Sequence, residues 1–347
     1  MKKTKKALAL ILAGMMAASM TACGSGKTAE TTQGAADTTA AESADETKAE
    51  ASADGASYKV GICQLVQHVA LDAATEGFKD ALTEALGDQV TFDEQNAQGD
   101  SNTCSTIINN FVAEDVDLIL ANATPALQAA QAGTDTIPVL GTAVTEYGVA
   151  LGIDDFNGTV GGNISGTADL APLNEQAAML KELFPDAKNV GLLYCSAEAN
   201  SQYQVDTVKA ELEKLGYTCE YYAFSDSNDL ATIATNAANS SDVIYIPTDN
   251  TAAANTEIIN NICQPAGVPI IAGEEGICSG CGVATLSISY YDLGAATGKM
   301  AAKILTGESN ISEMPIEYAP QFTKKYNKTI CEALGITVPD DYIAIEE

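Results

Sequence analysis

Polar side chains that follow predicted strands are the residues of this sequence best placed to hold a small polar molecule. Hydroxyl and backbone N–H groups at such positions can bind a carboxylate, and Asp249 or Glu274 can bind an ammonium group. The candidate contacts are Gln64, Gln67, His68, Thr124, Thr142, Ala143, Ser196, Asn200, Thr248, Asp249, Asn250 and Glu274. Asn122, Thr145 and Glu198 stand at similar positions. Helix capping or turn formation is the alternative role for these polar residues.

His68 is the only histidine of the chain. A catalytic histidine needs a nucleophile or an acid as its partner, and a zinc site needs more ligands than one. We therefore expect His68 either to contact a bound molecule or to orient the turn after the first strand. We predict no metal and no cofactor.

Thr124 and Pro125 indicate the start of a helix. Proline is favoured at the first helical position, which makes Thr124 the predicted N-cap. The amino terminus of that helix suits a carboxylate, because its first N–H groups lack partners within the helix. Asn250 can in the same way simply start a helix.

Eight cysteines follow Cys23, at positions 63, 104, 195, 219, 263, 278, 281 and 331. Disulfides are usual in exported proteins, whereas thiols within strands behave as small apolar residues. Cys278 and Cys281 form a single CxxC pair that lacks both a second pair for zinc and the helix-opening context of redox motifs. No phosphate-binding loop or catalytic triad accompanies them, so we do not predict an enzyme.

The stretch from 58 to 86 shows which elements position these side chains. A short apolar run is followed by a polar loop and then by a helix with Leu71, Phe78 and Leu82 on one face. The apolar run is predicted to be a strand at 60–63, and further strands are predicted at 90–94, 117–121, 138–141, 190–194, 218–223, 242–246, 269–272 and 284–289. Helices between them, such as 103–113 and 200–215, indicate parallel, doubly wound sheets.

The order of elements repeats once along the chain. LILANATPALQAA matches VIYIPTDNTAAAN, and IPVLGTAVT matches VPIIAGEEG. We therefore predict an α/β protein of two similar lobes with a hinge and a cleft between them. The first lobe comprises residues 58–166 and about 290–313, and the second comprises 167–289 and possibly 314–347.

The amino-terminal residues form a processing signal. Residues 1–22 have four lysines and then an apolar run too short to span a membrane, and Ala22 precedes Cys23 as in a lipobox. Residues 23–57, rich in Ala, Thr, Ser and acids, are predicted to be a lipidated, disordered tether. The protein is thus expected to be exported and lipid-anchored at the outer face of the cytoplasmic membrane, without spanning it.

The net charge of the chain is −30, with 17 basic and 47 acidic residues. Such acidity argues against nucleic acid and anionic lipid surfaces as partners. The contact with the membrane is therefore expected through the lipid anchor only.

Several stretches in order along the chain resemble one protein family, from QLVQHVALDAATEGF through QNAQGDSNTCSTI, ATPALQAA, GTAVTE, LLYCSAEANSQYQV, VIYIPTDNTAAA and IIAGEEG to YYDLGAATGKMAAKIL. The chain resembles the tryptophan/tyrosine-type substrate-binding lipoproteins of ABC importers. The resemblance implies a periplasmic-binding-protein fold of type I. One loop departs: Glu275-Gly276-Ile277-Cys278 stands where the family commonly has Ser-Asp-Met.

The resemblance implies a monomer that binds an aromatic or apolar amino acid in the cleft and delivers it to an ABC permease and its ATPase. Since the chain has no tryptophan, tyrosine and phenylalanine are the available stacking partners. A nucleoside or a sugar is the alternative ligand. A sensor subunit of a signalling receptor, or a lipid-anchored thiol oxidoreductase using Cys278 and Cys281, is the alternative function.

Overall fold

The computed structural model describes residues 57–345. The predicted signal peptide, the predicted lipidation site Cys23 and all of the predicted tether except Ser57 lie outside the described residues. Among the helices of the described part, none is long and apolar enough to cross a membrane.

The strands form two sheets. They are β1 (Tyr58–Gln64), β2 (Val90–Asn96), β3 (Leu118–Asn122), β4 (Val139–Val144), β5 (Ile164–Ala168), β6 (Asn189–Cys195), β7 (Thr218–Phe224), β8 (Val243–Ile246), β9 (Ile270–Ala272), β10 (Ala284–Ser287), β11 (Glu317–Tyr318), β12 (Thr323–Tyr326) and β13 (Ile343–Ala344). Each predicted strand is present with ends that agree within about three residues.

Helices cover the faces of both sheets. They are α1 (Val69–Leu86), α2 (Ser101–Ala113), α3 (Thr124–Gly133), α4 (Tyr147–Leu151), α5 (Leu173–Leu183), α6 (Ala199–Lys214), α7 (Ser227–Ser240), α8 (Asn250–Ala253), α9 (Thr256–Cys263), α10 (Glu275–Cys281), α11 (Tyr290–Leu305) and α12 (Lys328–Leu334). Single 3₁₀ turns occur at Gly87–Gln89 and Ile311–Glu313.

The first sheet has the order β11-β5-β4-β3-β1-β2, with all neighbours parallel. Its inner strands β1, β3, β4 and β5 are buried on both faces, as expected for a sheet covered by helices on each side, whereas the edge strands β2 and β11 are largely exposed. Ile119 and Ala121 of β3 face one apolar cluster, and Leu118 and Leu120 face the other. This alternation follows from the two-residue period of a strand.

The second sheet has the order β13-β12-β10-β9-β8-β6-β7. It repeats the pattern of the first: Leu192 and Tyr194 of β6 pack into one cluster, and Leu193 and Cys195 pack into another. The sheet is not wholly parallel, however, because β12 runs antiparallel to β10. The predicted parallel sheet is thus extended by an antiparallel strand that the sequence pattern did not indicate.

The chain passes between the two sheets three times, through residues 169–172, 288–289 and 319–322. β5 belongs to the first sheet and ends at Ala168, two residues beyond residue 166, where the sequence predicted this part of the first lobe to end. β11 adds Glu317–Tyr318 to the same sheet, from the stretch that the sequence placed in the second lobe. We call the first sheet with its helices the first lobe and the second sheet with its helices the second lobe.

Candidate functional site

The carboxyl ends of strands from both sheets enclose a small cavity between the lobes. Its volume is about 10 Å³, and it is lined by His68, Leu71, Asp169, Thr248, Asp249, Asn250, Ala253, Glu274 and Tyr290. His68 and Leu71 come from the first lobe, Asp169 and Tyr290 from the crossing segments and the residues next to them, and the others from the second lobe. We call it the polar cavity.

His68 and Asn250 join the two lobes across the polar cavity. His68 precedes α1, and its Nε2 lies 3.2 Å from Oδ1 of Asn250, the first residue of α8. The other ring nitrogen, Nδ1, is buried and has no hydrogen-bond partner among residues 57–345. Burial lowers the pKa of His68, although Asn250, Glu198 and Asp72 act in the opposite direction.

Asp169 is a carboxyl group of the polar cavity that the sequence reasoning did not single out. It directly follows β5, is only 3% exposed, and its Oδ2 accepts a hydrogen bond of 2.9 Å from the Tyr290 hydroxyl. Its Oδ1 is buried without a partner in the described part of the chain. Burial raises the pKa of Asp169, and the hydroxyls of Tyr290 and Thr145 partly oppose that shift.

Asp249 and Glu274 line the same cavity, but backbone N–H groups occupy their carboxylates. Asp249 caps α8 through Ala252 N at 2.8 Å and also accepts from Cys195 N at 2.6 Å. Glu274 caps α10 by accepting from Gly276 N at 2.6 Å and from Ile277 N. Burial raises the pKa of both groups, that of Glu274 to about 7. Helix capping, the alternative role for these polar residues, is therefore observed for both Asp249 and Glu274.

Glu198 organises the second-lobe side of the site. It accepts four hydrogen bonds at 2.6 to 3.1 Å from the backbone N–H groups and the side chains of Asn250 and Thr251, and a fifth at 3.4 Å from Asn200 Nδ2. Asn200 donates to Thr248 O at 3.0 Å, while its Oδ1 has no partner among the described residues. Gln204 accepts from Thr248 N at 3.1 Å, so the turn after β8 is held by buried amides.

The first-lobe side carries two unusual backbone positions. Ala123 (φ 91°) directly follows β3, and Ala143 (φ 51°) is the next-to-last residue of the neighbouring strand β4. Ala123 N donates to Thr142 O at 3.0 Å. Non-glycine residues at positive φ are strained and concentrate at functional sites. Thr124 is the first residue of α3 and Ala123 is the N-cap, so the predicted cap at Thr124 is wrong by one residue.

Seven of the twelve predicted residues do not line the polar cavity, namely Gln64, Gln67, Thr124, Thr142, Ala143, Ser196 and Asn200. Four of these seven have side chains that are engaged within one lobe or exposed. The Gln64 amide bonds to Asp72 and Thr75 of α1. Thr142 belongs to a chain of buried hydroxyls with Thr167 and Thr297. Ser196 is exposed and donates to Phe224 O at 3.1 Å, and Gln67 is exposed.

A second cavity lies between the lobes beside the polar cavity. Its volume is about 240 Å³, and it is bounded by Leu65, Val66 and Pro125 of the first lobe and by Ala197, Glu198 and Thr251 of the second, among others. We call it the side-chain cavity. Among the described residues that line the two cavities, Tyr290 is the one tyrosine or phenylalanine.

A larger groove of about 530 Å³ lies along the segments that cross between the lobes, bounded by residues such as Thr167, Ile288, Tyr318 and Lys325. It contains none of the predicted contact residues. The groove is bounded by surface and hinge residues, and the buried polar groups without partners lie elsewhere. The polar cavity is therefore the better candidate site.

Cys278 and Cys281 lack the lowered thiol pKa of a redox pair. All eight cysteines after Cys23 are buried, free thiols. Burial raises the pKa of Cys278 and Cys281, which makes their thiols poor nucleophiles. Within residues 57–345, no group of three or more His, Cys, Asp or Glu side chains is arranged to hold a metal ion.

Residues 59–345 match the family model of ABC transporter substrate binding proteins. The chain belongs to this family. Proteins of the ABC transporter substrate binding family act outside the cytoplasm as solute receptors, in agreement with a ligand site between two lobes.

The relatives of this substrate-binding protein include receptors for aromatic amino acids. A tyrosine-binding protein of Clostridioides difficile (strain R20291) is 34% identical over 340 residues, covering 97% of this chain and 94% of that one. The structure of a Streptococcus pneumonia ABC domain in complex with L-Trp is 34% identical and has a TM-score of 0.78, covering 82% of this chain and 97% of that one.

A second solved structure provides a comparison for the arrangement of the two lobes. The ligand-free, open structure of a substrate binding protein from Clostridium difficile is 36% identical and covers 83% of this chain and all of that one, yet its TM-score is only 0.63. Since identity and coverage are nearly equal in the two comparisons, the lobe arrangement of this chain is closer to that of the L-Trp complex.

Proposed function

We propose that this substrate-binding protein binds an aromatic amino acid between its lobes and delivers it to an ABC permease and its ATPase. Two relatives support the ligand class, one named a tyrosine-binding protein and the other solved with L-Trp. Both are about one-third identical to this chain over most of its length.

The observation that carries the proposal is the unpartnered Oδ1 of Asp169 in the polar cavity. A buried polar atom without a partner is costly, and the cost is removed when a ligand supplies the missing group. An ammonium group supplies N–H donors and a positive charge, both of which suit a carboxylate. Asp169 therefore takes the role that the sequence reasoning gave to Asp249 or Glu274.

The other parts of the ligand have places beside Asp169. The side-chain cavity, with Leu65, Val66 and Pro125 on one wall, has the apolar surface that an aromatic side chain needs. Since neither cavity has a lysine or arginine among its described lining residues, the carboxylate falls to backbone N–H groups and hydroxyls. The start of α3, next to strained Ala123 and Ala143, is the place we assign to it.

Binding between lobes explains delivery. A ligand that contacts both lobes binds the closed form better and so shifts the equilibrium toward it. The bond between His68 and Asn250 connects the lobes in that closed form. We further propose that the protein is a monomer that is lipidated at Cys23 and presented at the outer face of the cytoplasmic membrane.

Calorimetric titration with L-tyrosine, L-tryptophan and L-phenylalanine tests the proposal. Asp169→Asn keeps the shape of the side chain but removes its charge, and we expect at least a tenfold loss of affinity for the amino acid that binds. Asp154→Asn, at an exposed carboxyl group, is the matched control and should leave affinity unchanged.

Binding of nucleosides or sugars in place of these amino acids would keep the receptor function and refute the ligand class. An Asp169→Asn protein that binds the amino acid as tightly as the unaltered protein would refute the assignment of Asp169.

A further inference from the structure

We infer that Glu198, Asn250 and His68 form a relay that fixes the tautomer of His68, so that Nδ1 acts as an acceptor for the amino group of the ligand. The inference rests on the proposed function and deepens it. It makes Glu198 and Asn250 positioning residues and makes His68 a residue that selects for a free amino group.

The relay begins at Glu198, whose two oxygens are surrounded by donors. Asn250 Nδ2 donates to Glu198 Oε2 at 2.6 Å, and the N–H groups of Asn250 and Thr251 donate at 3.1 and 2.9 Å. The opposite orientation of the Asn250 amide would place its carbonyl oxygen against a carboxylate oxygen, which is repulsive. Asn250 Oδ1 must therefore face His68.

The second step concerns the proton on the imidazole. Asn250 Oδ1 can only accept, so the 3.2 Å contact with His68 Nε2 requires a proton on Nε2. Burial favours the neutral ring, against the influence of Glu198 and Asp72. In a neutral ring with a proton on Nε2, Nδ1 carries a lone pair.

The third step joins His68 to Asp169. His68 Nδ1 and Asp169 Oδ1 have no partners among the described residues, and both residues line the polar cavity. Two unpartnered acceptors in one cavity fit an ammonium group, which has three N–H donors and no acceptor. Asp249 and Glu274 share the cavity but are occupied by backbone N–H groups. An α-hydroxy acid offers a single donor and no charge at this place.

The relay predicts how well the site distinguishes an amino acid from its hydroxy-acid analogue. A site that is built to bind a donor rejects an analogue that lacks it, because its own polar groups then stay buried and unpaired. L-Tyrosine should therefore bind at least tenfold more tightly than 4-hydroxyphenyllactate. His68 and Asp169 together are expected to provide this difference.

Nitrogen-15 NMR of the full chain tests the tautomer directly, since the protein has a single histidine and gives one imidazole spin system. With saturating L-tyrosine or L-tryptophan we expect a neutral ring protonated at Nε2. A ring protonated at Nδ1, or an imidazolium at neutral pH, would overturn the inference while leaving the proposed function intact. Failure of both amino acids to bind the unaltered protein would contradict the proposed function itself.

Two substitutions of His68 separate its roles. In His68→Asn the side-chain oxygen can replace Nδ1, whereas in His68→Gln the amide can replace the Nε2 donor and no acceptor remains at Nδ1. We expect His68→Gln to reduce the preference for tyrosine over 4-hydroxyphenyllactate severalfold and His68→Asn to retain more of it. Equal preferences in both variants and in the unaltered protein would overturn the inference, because a merely structural histidine would change affinity for both ligands alike.

Discussion

Three carboxyl groups, those of Asp169, Asp249 and Glu274, line the polar cavity, and no lysine or arginine is among the described residues around it. Two of these carboxyl groups, Asp249 and Glu274, already accept hydrogen bonds from backbone N–H groups at the starts of α8 and α10. The Tyr290 hydroxyl donates to Asp169 Oδ2, the Thr145 hydroxyl also favours the charged form of Asp169, and Oδ1 has no hydrogen-bond partner among the described residues. The site therefore favours a positively charged group at Asp169 over any other polar group.

Glu274 makes the stability of the protein depend on pH. Its pKa is about 7 in the folded chain, above the ordinary 4.5, so the folded state holds the proton more tightly than the unfolded state does. This contribution to stability is fully present below about pH 4.5 and is lost as the pH rises through 7, by at most about 1.4 kcal/mol per pH unit. Glu274→Gln should therefore flatten the decline of the unfolding free energy between pH 5 and pH 8.

Urea unfolding at pH 5, 6, 7 and 8 measures this effect. Glu308→Gln, at an exposed position, is the control and should keep the pH profile of the unaltered protein. The pKa values of Asp169 and Asp249 are raised in the same direction, so part of the decline with pH remains in Glu274→Gln. Identical profiles for Glu274→Gln and the unaltered protein would contradict the prediction.

The predicted residues that line the polar cavity share one property. Each lies just after a strand with a strong apolar pattern, or just after the turn that follows such a strand. Asp249 follows β8 and Glu274 follows β9, and both strands are continuous runs of apolar residues. Asp169 was missed because β5, with the sequence ISGTA, has a single large apolar residue, Ile164, and therefore lacks a clear apolar strand pattern. Ser196 also follows a strong strand, but spacing alone could not show that its side chain turns away to Phe224 O.

At the scale of elements, the most extensive contact in the first lobe joins α1 and α11. Glycines make this approach possible: a Cβ at Gly294 would collide with the backbone of Ala74, one at Gly77 with Tyr291, and one at Gly298 with Phe78. α11 follows β10 of the second sheet, so the chain must return to the first lobe to make this contact. The pairing of the two helices thus fixes where the second crossing segment ends.

Gly294→Ala should destabilise the protein, although alanine is a better helix former than glycine by about 1 kcal/mol. The added methyl group overlaps the carbonyl of Ala74, and backbone cannot move aside as a flexible side chain can. We expect the thermal midpoint to fall by several degrees, as about 2 kcal/mol would produce. Lys299→Ala, on the exposed face of α11, is the control. An unchanged or raised midpoint for Gly294→Ala would show that the helices can separate at little cost.

The elements that the sequence did not indicate lie at the edges of the sheets or are short. β11 and β13 have two residues each, and β12 (TKKY) has two adjacent lysines and no aliphatic residue. Such strands are held by their neighbours rather than by their own pattern. The central strands could be predicted because their burial on both faces demands continuous apolar residues.

At the scale of the whole molecule, three crossing segments connect the lobes, and two of them carry groups of the polar cavity. Asp169 begins the first segment, and Tyr290 follows the second at the start of α11. Their hydrogen bond of 2.9 Å therefore links two parts of the hinge at the place where we expect the ligand to bind. A ligand held at Asp169 thus acts on the hinge as well as on the lobes.

Small-angle X-ray scattering tests the closure of the lobes. The arrangement described here matches that of the L-Trp complex better than that of the open, ligand-free relative, so we expect the radius of gyration to decrease when saturating L-tyrosine or L-tryptophan is added. Glucose at the same concentration is the control. In Asp169→Asn the decrease should require higher amino acid concentrations. A ligand that binds by calorimetry without any change in scattering would contradict closure by domain motion.

The threefold crossing also determines the order in which the chain can fold as it is made. Amino-terminal domains usually fold first, during synthesis. Here the first sheet lacks α11 and its edge strand β11 until nearly all of the second sheet has been synthesised, and the second sheet is completed by β12 and β13 close to the carboxyl terminus. Neither lobe can complete its sheet before the segments that follow the second crossing have been made. The two lobes are therefore expected to complete their cores late in synthesis and close together in time.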